Sequence, residues 1–491
     1  MAGPSQEIKL KKIASDHSFS TQEGFLRLAR NVAIVVLIGA TSWFFCTVLK
    51  LCVSQSSNYL FSLFEHNEIV KDYEFLDQDK GYGLEAIATN KEIIKQHESE
   101  SSQKNAVVTL LLVLFLGGLI RGLLISRPSW KQSEGDGASH TINYFLESYA
   151  LGEEHGVAAK HRYKYPTFGH AFKRMLMTFL TLGCGGSGGL EGPVIPVGES
   201  LASGWAKFFK VFETEDLRAF QMAGIASAVC ALLNAPFASV IFASEIVYSE
   251  RIIYRTFFYS IFAVLVSFQL NVFFLGEGKL FIIQSHDVAY NFFEYVNVVF
   301  VAIVCSGPVG LGLNFIFKFF KNNFNYIPVV ARSPLGAIFA GLIAIFMWNY
   351  FGIEPQHILG MGEETLEDVM YGIGNPSFKV WWILLLVILA KAIATGLTLM
   401  TGGSAGLLIP SMVLGGLMGA VIHNLFGFGV GMDLFIVSGI GSALVSIIEI
   451  PISAVVLIIS MFGETYAMPA MLSVAVCHFL VKNYNFYLHK N

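Results

Sequence analysis

The sequence predicts an all-α polytopic membrane protein built from two related halves of broken and tilted helices. Three observations predict it. Of the 491 residues, 54% are hydrophobic and 14% charged, and the mean hydropathy is +0.59, too apolar for an ordinary soluble chain. Apolar stretches near the roughly 20 residues that a spanning helix needs recur along its length. A glycine-rich loop occurs twice, followed each time by a second shared segment.

Residues 1–30 form an N-terminal segment whose first 24 residues are polar, so no cleavable signal is expected there. Lys9, Lys11, Lys12, Arg27 and Arg30 precede the first apolar run near Val32, so the positive-inside rule puts the N-terminus in the cytoplasm. Residues 31–481 form the transmembrane domain, with halves at 106–275 and 290–481. Its clearest stretches are Ala106 to Ile125, Thr256 to Leu275, Val298 to Phe317, Leu335 to Met347 and Val380 to Leu399. About ten to twelve segments are expected, some too short or glycine-broken to cross straight. Ser54 to Lys104 reads as a loop on the far side, and Pro128 to Lys173 as a mixed segment. Residues 482–491 close the chain, and no soluble regulatory domain is expected after them.

The six cysteines lie in apolar or glycine-rich surroundings without metal-type spacing, so neither disulfides nor a metal site is expected. The net charge of −4 and the lack of a basic patch exclude a nucleic-acid partner. No Walker loop, nucleophile elbow or HExxH pattern argues for an enzyme, and no cofactor is expected.

The repeat is the most informative feature. Gly186-Ser187-Gly188-Gly189-Leu190-Glu191-Gly192-Pro193 matches Gly403-Ser404-Ala405-Gly406-Leu407-Leu408-Ile409-Pro410 at an offset of 217. Gly224-Ile225-Ala226-Ser227-Ala228 through Pro236 then matches Gly439-Ile440-Gly441-Ser442-Ala443 through Pro451 at 215. Duplicated, Gly/Pro-interrupted apolar segments build ion sites near a bilayer midplane, where free N–H groups at helix N-termini attract an anion. Glycine lets the backbone turn and approach closely, and proline suits a first helical turn. Glu191 lies inside the first loop, at a depth where an ionisable group is costly and points to function. Beside an anion-attracting loop it can take the anion's own seat and swing away when protonated.

These residues resemble a family. Gly189-Leu190-Glu191-Gly192-Pro193 is similar to the Gly-Arg-Glu-Gly-Pro motif of CLC chloride channels and proton-coupled chloride antiporters. Gly406-Leu407-Leu408-Ile409-Pro410 resembles their Gly-x-Phe-x-Pro motif. Asn234-Ala235-Pro236 through Ser244-Glu245-Ile246 resembles the helix that follows, and Asn483 to Leu488 the last helix. The resemblance implies inverted halves, a homodimer with one pore per subunit, chloride or a similar small anion as cargo, protons as a second one, and a lipid bilayer around it. It makes Glu191 the gate, brings the backbone near Leu190 to Gly192, Leu407 and Leu408 to the ion, and makes Tyr487, or else Tyr484, the central tyrosine.

Departures from the family pattern bear on the ion. The family's Gly-Ser-Gly-Ile-Pro aligns with Gly135-Asp136-Gly137-Ala138-Ser139, so Asp136, an acceptor when ionised, stands where a serine would donate to an anion. Its alternative role is to cap the helix that follows. Leu190 replaces an arginine, and with Glu199 and Glu449 these changes make the path more negative. An exchanger of altered selectivity, for a cation or polyatomic ion, is the rival reading. The internal proton glutamate of the exchangers aligns with Ile246, next to Glu245, which leaves channel against antiporter open. His140, His155, His161 and His170 are too irregularly spaced for a metal site, and the acidic run from Glu363 to Asp368 reads as a solvated helix start.

Overall fold

The computed structural model describes residues 22–65, 85–143, 145, 167–211, 213–248, 253–276, 290–371, 376–426 and 430–481. Tyr484 and Tyr487, with His155 and His161, lie outside the described residues. The rest is helical. α1 (Gln22–Glu65) and α2 (Glu85–Ile125) are followed by a short helix α3 (138–143). The first half continues with α4 (Phe168–Thr178), α5 (Glu191–Phe208), α6 (Thr214–Leu233), α7 (Pro236–Tyr248) and α8 (Tyr254–Leu275). Then come α9 (Phe292–Ser306), α10 (Pro308–Phe324), α11 (Val329–Phe351) and α12 (Pro355–Ile358). The second half ends with α13 (Glu363–Tyr371), α14 (Trp381–Met400), α15 (Leu408–Phe426), α16 (Met432–Ala443), α17 (Pro451–Phe462) and α18 (Ala467–Val481).

Among the described residues nine helices or helix pairs are long and apolar enough to cross a membrane, and three more are shorter and apolar. Two expectations are corrected. The polar segment Ser54 to Lys104 is not a plain loop, because α1 continues to Glu65 and α2 starts at Glu85; both helices have the propensity to run on past the apolar stretch. The stretch from Val298 to Phe317 is two helices, since Pro308 has no N–H to continue α9 and opens α10 instead.

Two populations of helix result. α5, α6, α7, α14, α15 and α16 carry mostly buried residues and form the centre. Helices α1, α2 and α8 to α11 expose large hydrophobics such as Phe44, Phe115, Phe262, Phe273, Phe315 and Phe346, as helices facing acyl chains do. The N-termini of α1, α6 and α8 meet at one face of the molecule. There Asp216, buried at the start of α6, accepts from Arg27 at 2.9 Å and from Arg255, while Arg255 also reaches Glu215 at 2.6 Å.

Tight backbone crossings appear at the same place in each half. Gly198 of α5 faces Gly224 of α6, and Gly415 of α15 faces Gly439 of α16; a Cβ on any of the four would strike the facing backbone carbonyl. Small residues at helix crossings serve this close approach in membranes. Gly198→Val or Gly224→Val is expected to cost about 1–3 kcal/mol of stability, read as a lower melting temperature in detergent. Gly169→Ala and Gly307→Ala, with nothing within 4 Å of the added carbon, should leave it unchanged; equal losses at all four would rule out the crossing as the cause.

Candidate functional site

The two Gly-Ser loops meet at the centre of the molecule. α4 ends in a π-helical turn, Phe179–Gly183, and Gly185 (φ +90°) turns the chain into the first loop, as Gly402 (φ +101°) does after α14. Both torsions lie in the left-handed region that favours glycine. Gly189 and Gly406, equivalent in the two copies, then pair with each other: Gly189 N–H donates to Gly406 O at 2.8 Å and Gly406 N–H to Gly189 O at 2.6 Å.

Other bonds around this pair are reciprocal as well. Ser187 Oγ bonds Thr395 Oγ1 at 3.0 Å, and Ser404 Oγ bonds Thr178 Oγ1 at 2.8 Å. Ser187 N–H donates to Thr398 Oγ1 at 3.1 Å, and Ser404 N–H to Thr181 Oγ1 at 3.0 Å. Gly135 N–H donates to Gly403 O at 3.0 Å, and Gly360 N–H to Gly186 O at 3.1 Å. A set of bonds in which each copy gives what it receives defines a two-fold axis between the copies, so α5 and α15 meet N-terminus to N-terminus and the halves are inverted. The threonines in Thr178-x-x-Thr181 and Thr395-x-x-Thr398 extend the sequence repeat upstream of the loops, a signal that the glycine match alone does not carry.

Behind the loops lie two buried cations, again at equivalent positions. Arg174 of α4, 0% exposed, donates to Glu134 O at 2.9 Å and Gly135 O at 2.5 Å. Lys391 of α14, also 0% exposed, donates to Leu359 O and Gly360 O at 3.0 Å each. A lone cation inside an apolar helix is the sequence signal for Lys391, whereas Arg174 follows Lys173 in an amphipathic helix and carries no such signal.

Pro193 and Pro410 sit in the first turns of α5 and α15, where no intrahelical acceptor is needed for their missing N–H. Those turns present the amides of Glu191 and Gly192 from one side and of Leu408 and Ile409 from the other. The Glu191 side chain, 3% exposed, folds over this opening beside Gly189, where the backbone amides of Glu191 and Ile409 act on its carboxylate. Its Oε2 has no hydrogen-bond partner among the described residues. Lys50 of α1, which donates to Leu232 O at 3.1 Å, and Glu363 of α13 are the charged groups acting on it. Sequence reasoning named Glu191, Leu190, Gly192, Leu407 and Leu408 but not Ile409 or Lys50; a single lysine in the apolar run of α1 was the signal for the latter.

Asp136 lies at the start of α3, where its Oδ1 accepts from Ser139 N–H at 3.3 Å, the contact of an N-capping aspartate. Its own carbonyl packs against Gly192. The capping role is therefore present. Glu245 is likewise engaged at a helix end, taking Ile452 N–H at 2.9 Å, Ser453 N–H at 2.7 Å and Ser453 Oγ at 2.5 Å at the head of α17. His140 is exposed and His170 half-buried, and no group of three metal-ligating side chains occurs among the described residues.

The reciprocal bonds should be energetically coupled. In a double-mutant cycle, Ser187→Ala with Thr395→Val is expected to show a coupling of about 0.6–2 kcal/mol in thermal unfolding in detergent. Strict additivity would mean that the bond between the copies contributes nothing.

The family model described as "Voltage gated chloride channel" matches residues 117–482. An uncharacterized protein of Methanocaldococcus jannaschii is 23% identical over 382 residues, covering 77% of the chain and 86% of that protein. The chloride channel protein CLC-f of Arabidopsis thaliana is 29% identical over 258 residues, covering 50% of the chain and 32% of the plant protein, so the chain spans about a third of that relative's length. Among solved structures, a slow cyanobacterial Cl−/H+ antiporter superimposes with a TM-score of 0.70 at 15% identity, covering 92% of the chain and 94% of that structure. At that identity the likeness shows the fold alone.

Proposed function

The chain belongs to the voltage gated chloride channel family, and from that membership we propose that it carries a small anion, chloride first, between the N-termini of α5 and α15, with Glu191 as its gate. The observation that carries the reading is the buried Glu191 carboxylate at the opening between the two helix N-termini, beside Gly189. Two helix ends and their free N–H groups form a seat for one negative charge. The ionised carboxylate and a permeating anion compete for it. Protonation removes the charge that holds the side chain there, and charge-assisted bonds are worth about 1.5–3 kcal/mol each, enough for one proton to shift the balance. Proton binding at Glu191 and anion binding at the seat are thereby linked in both directions.

Linkage of this kind supports proton-coupled exchange, the activity of the cyanobacterial antiporter, and it supports a proton-gated channel equally well. Flux from vesicles separates the two: uphill proton movement driven by a chloride gradient excludes a pure channel. In either mode Glu191→Gln is expected to pass anion without pH dependence and without proton coupling, while eluting and melting like the parent. Persistence of the parent's pH dependence in that variant would remove Glu191 from the gate.

The rival, an exchanger for a cation or polyatomic ion, rests on the charge of Asp136. Because that carboxylate caps α3, Asp136→Ser is expected to cost about 1 kcal/mol of stability or less, a serine being a cap itself, and to leave the preference for chloride over cations as it was. A reversal of preference in vesicle flux would favour the rival.

A further inference from the structure

Glu199 is a second buried carboxylate on the helix that carries the gate, and nothing described so far uses it. It is 1% exposed. Oε2 accepts from Thr141 Oγ1 of α3 at 2.7 Å, and Oε1 has no partner among the described residues. Neighbouring Ser200 is fully buried with its Oγ also unpartnered, and one turn on Ser203 Oγ accepts from Gln221 Nε2 at 2.9 Å. A carboxylate with one donor at membrane depth calls for a proton or water.

Packing does not require it. The equivalent position in the second copy, at the offset of 217, is Gly416 in a helix buried as deeply. A structural carboxylate in this molecule looks different: Glu245 collects three donors at the head of α17. The charged groups of the elements packed on α5 have other partners. Arg27 of α1 and Asp216 of α6 pair with each other, Glu215 pairs with Arg255, Lys173 of α4 donates to Ser129 O and Arg174 to the 134–135 carbonyls. Arg30 of α1 reaches Asn31, His170 of α4 is flanked by Arg174, Lys173 and His140, and His140 of α3 and Arg218 of α6 are engaged too. Among the described residues, Thr141 is the one side-chain hydrogen-bond partner of Glu199.

Direction supplies the last element. α5 starts at Glu191 in the centre and ends at Phe208, five residues before Glu213, which pairs with Arg27 at the face where α1, α6 and α8 begin. Glu199 stands eight residues along, about 12 Å from Glu191 toward that face. We propose that Glu199 is a proton-binding group on the route between that face and Glu191. In the step, Glu199 Oε1–H gives its proton through a hydrogen-bonded water chain to Glu191 Oε2; Glu199 is left anionic, held by the Thr141 hydroxyl, and takes a new proton from the same face.

The inference rests on Glu191 binding protons, and the test keeps the two apart. Purified protein in vesicles is assayed for chloride flux and for chloride-driven proton movement, in the parent, Glu199→Gln and Thr141→Val. The expected result is a parent that couples the two and a Glu199→Gln variant whose protons carried per chloride fall by about tenfold or more, with a smaller fall for Thr141→Val, a near-isosteric change that guards against misfolding. Infrared difference spectra of the parent should contain a protonated-carboxyl band that Glu199→Gln removes. A parent that couples, with both variants coupling equally, overturns the inference and leaves Glu191 in place. A parent that moves chloride without protons overturns the exchange reading and the role of Glu199 together.

Discussion

The mutual pairing of Gly189 and Gly406 is the contact on which the remainder of the structure depends. Two loops from the two halves of the chain must come within hydrogen-bond distance, backbone to backbone, in a medium with no water to satisfy an N–H left over. Only residues without bulk allow it: a Cβ on Gly406 would strike the amide of Gly192, and one on Gly192 would press on Gly406 and on the carbonyl of Asp136. Around that contact the serine and threonine hydroxyls of each copy satisfy the loop of the other. The helices that follow are then aimed head to head, and their unpaired amides face a common point.

Symmetry also sorts the residues by task. Bonds that hold the loops recur in both copies: Thr181 with Thr398, Ser187 with Ser404, Arg174 with Lys391, Gly198 with Gly415. The acidic side chains near the loops do not recur. Glu191 is matched by Leu408, Glu199 by Gly416 and Asp136, through the alignment of Gly135 with Gly360, by Met361. Features of the scaffold must be kept in both halves for the axis to exist, whereas a carboxylate proposed as a gate is needed on one side alone.

That division explains what could be read in advance. Membrane class, the two halves, the glycine loops and Glu191 were legible, because composition, period and a lone carboxylate in an apolar loop are local properties of the chain. The paired hydroxyls were not: Ser187 and Thr395 are ordinary helix and loop residues until the axis places them 3.0 Å apart. Asp136 was read at the right place with two roles open, and only the geometry of Ser139 assigns its cap. The break at Pro308 was missed because the hydropathy of the stretch runs unbroken through it. Lys50 was passed over as part of an apolar run, although a single charge there is as informative as Glu191 is in its loop.

The two buried cations bear on how such a seat can release what it binds. An ammonium or guanidinium lining the path would hold an anion strongly, and passage requires binding that is favourable on entry and weak enough for exit. Arg174 and Lys391 instead spend their donors on the carbonyls of residues 134–135 and 359–360. They fix the loops, and with those carbonyls anchored the helix-end amides are left turned toward the centre. Their charge reaches the seat only through the backbone and at a distance. Under the proposed function an anion would meet partial charges on peptide N–H groups, shared with a carboxylate that one proton neutralises, and neither Arg174 nor Lys391 would have to bind it directly.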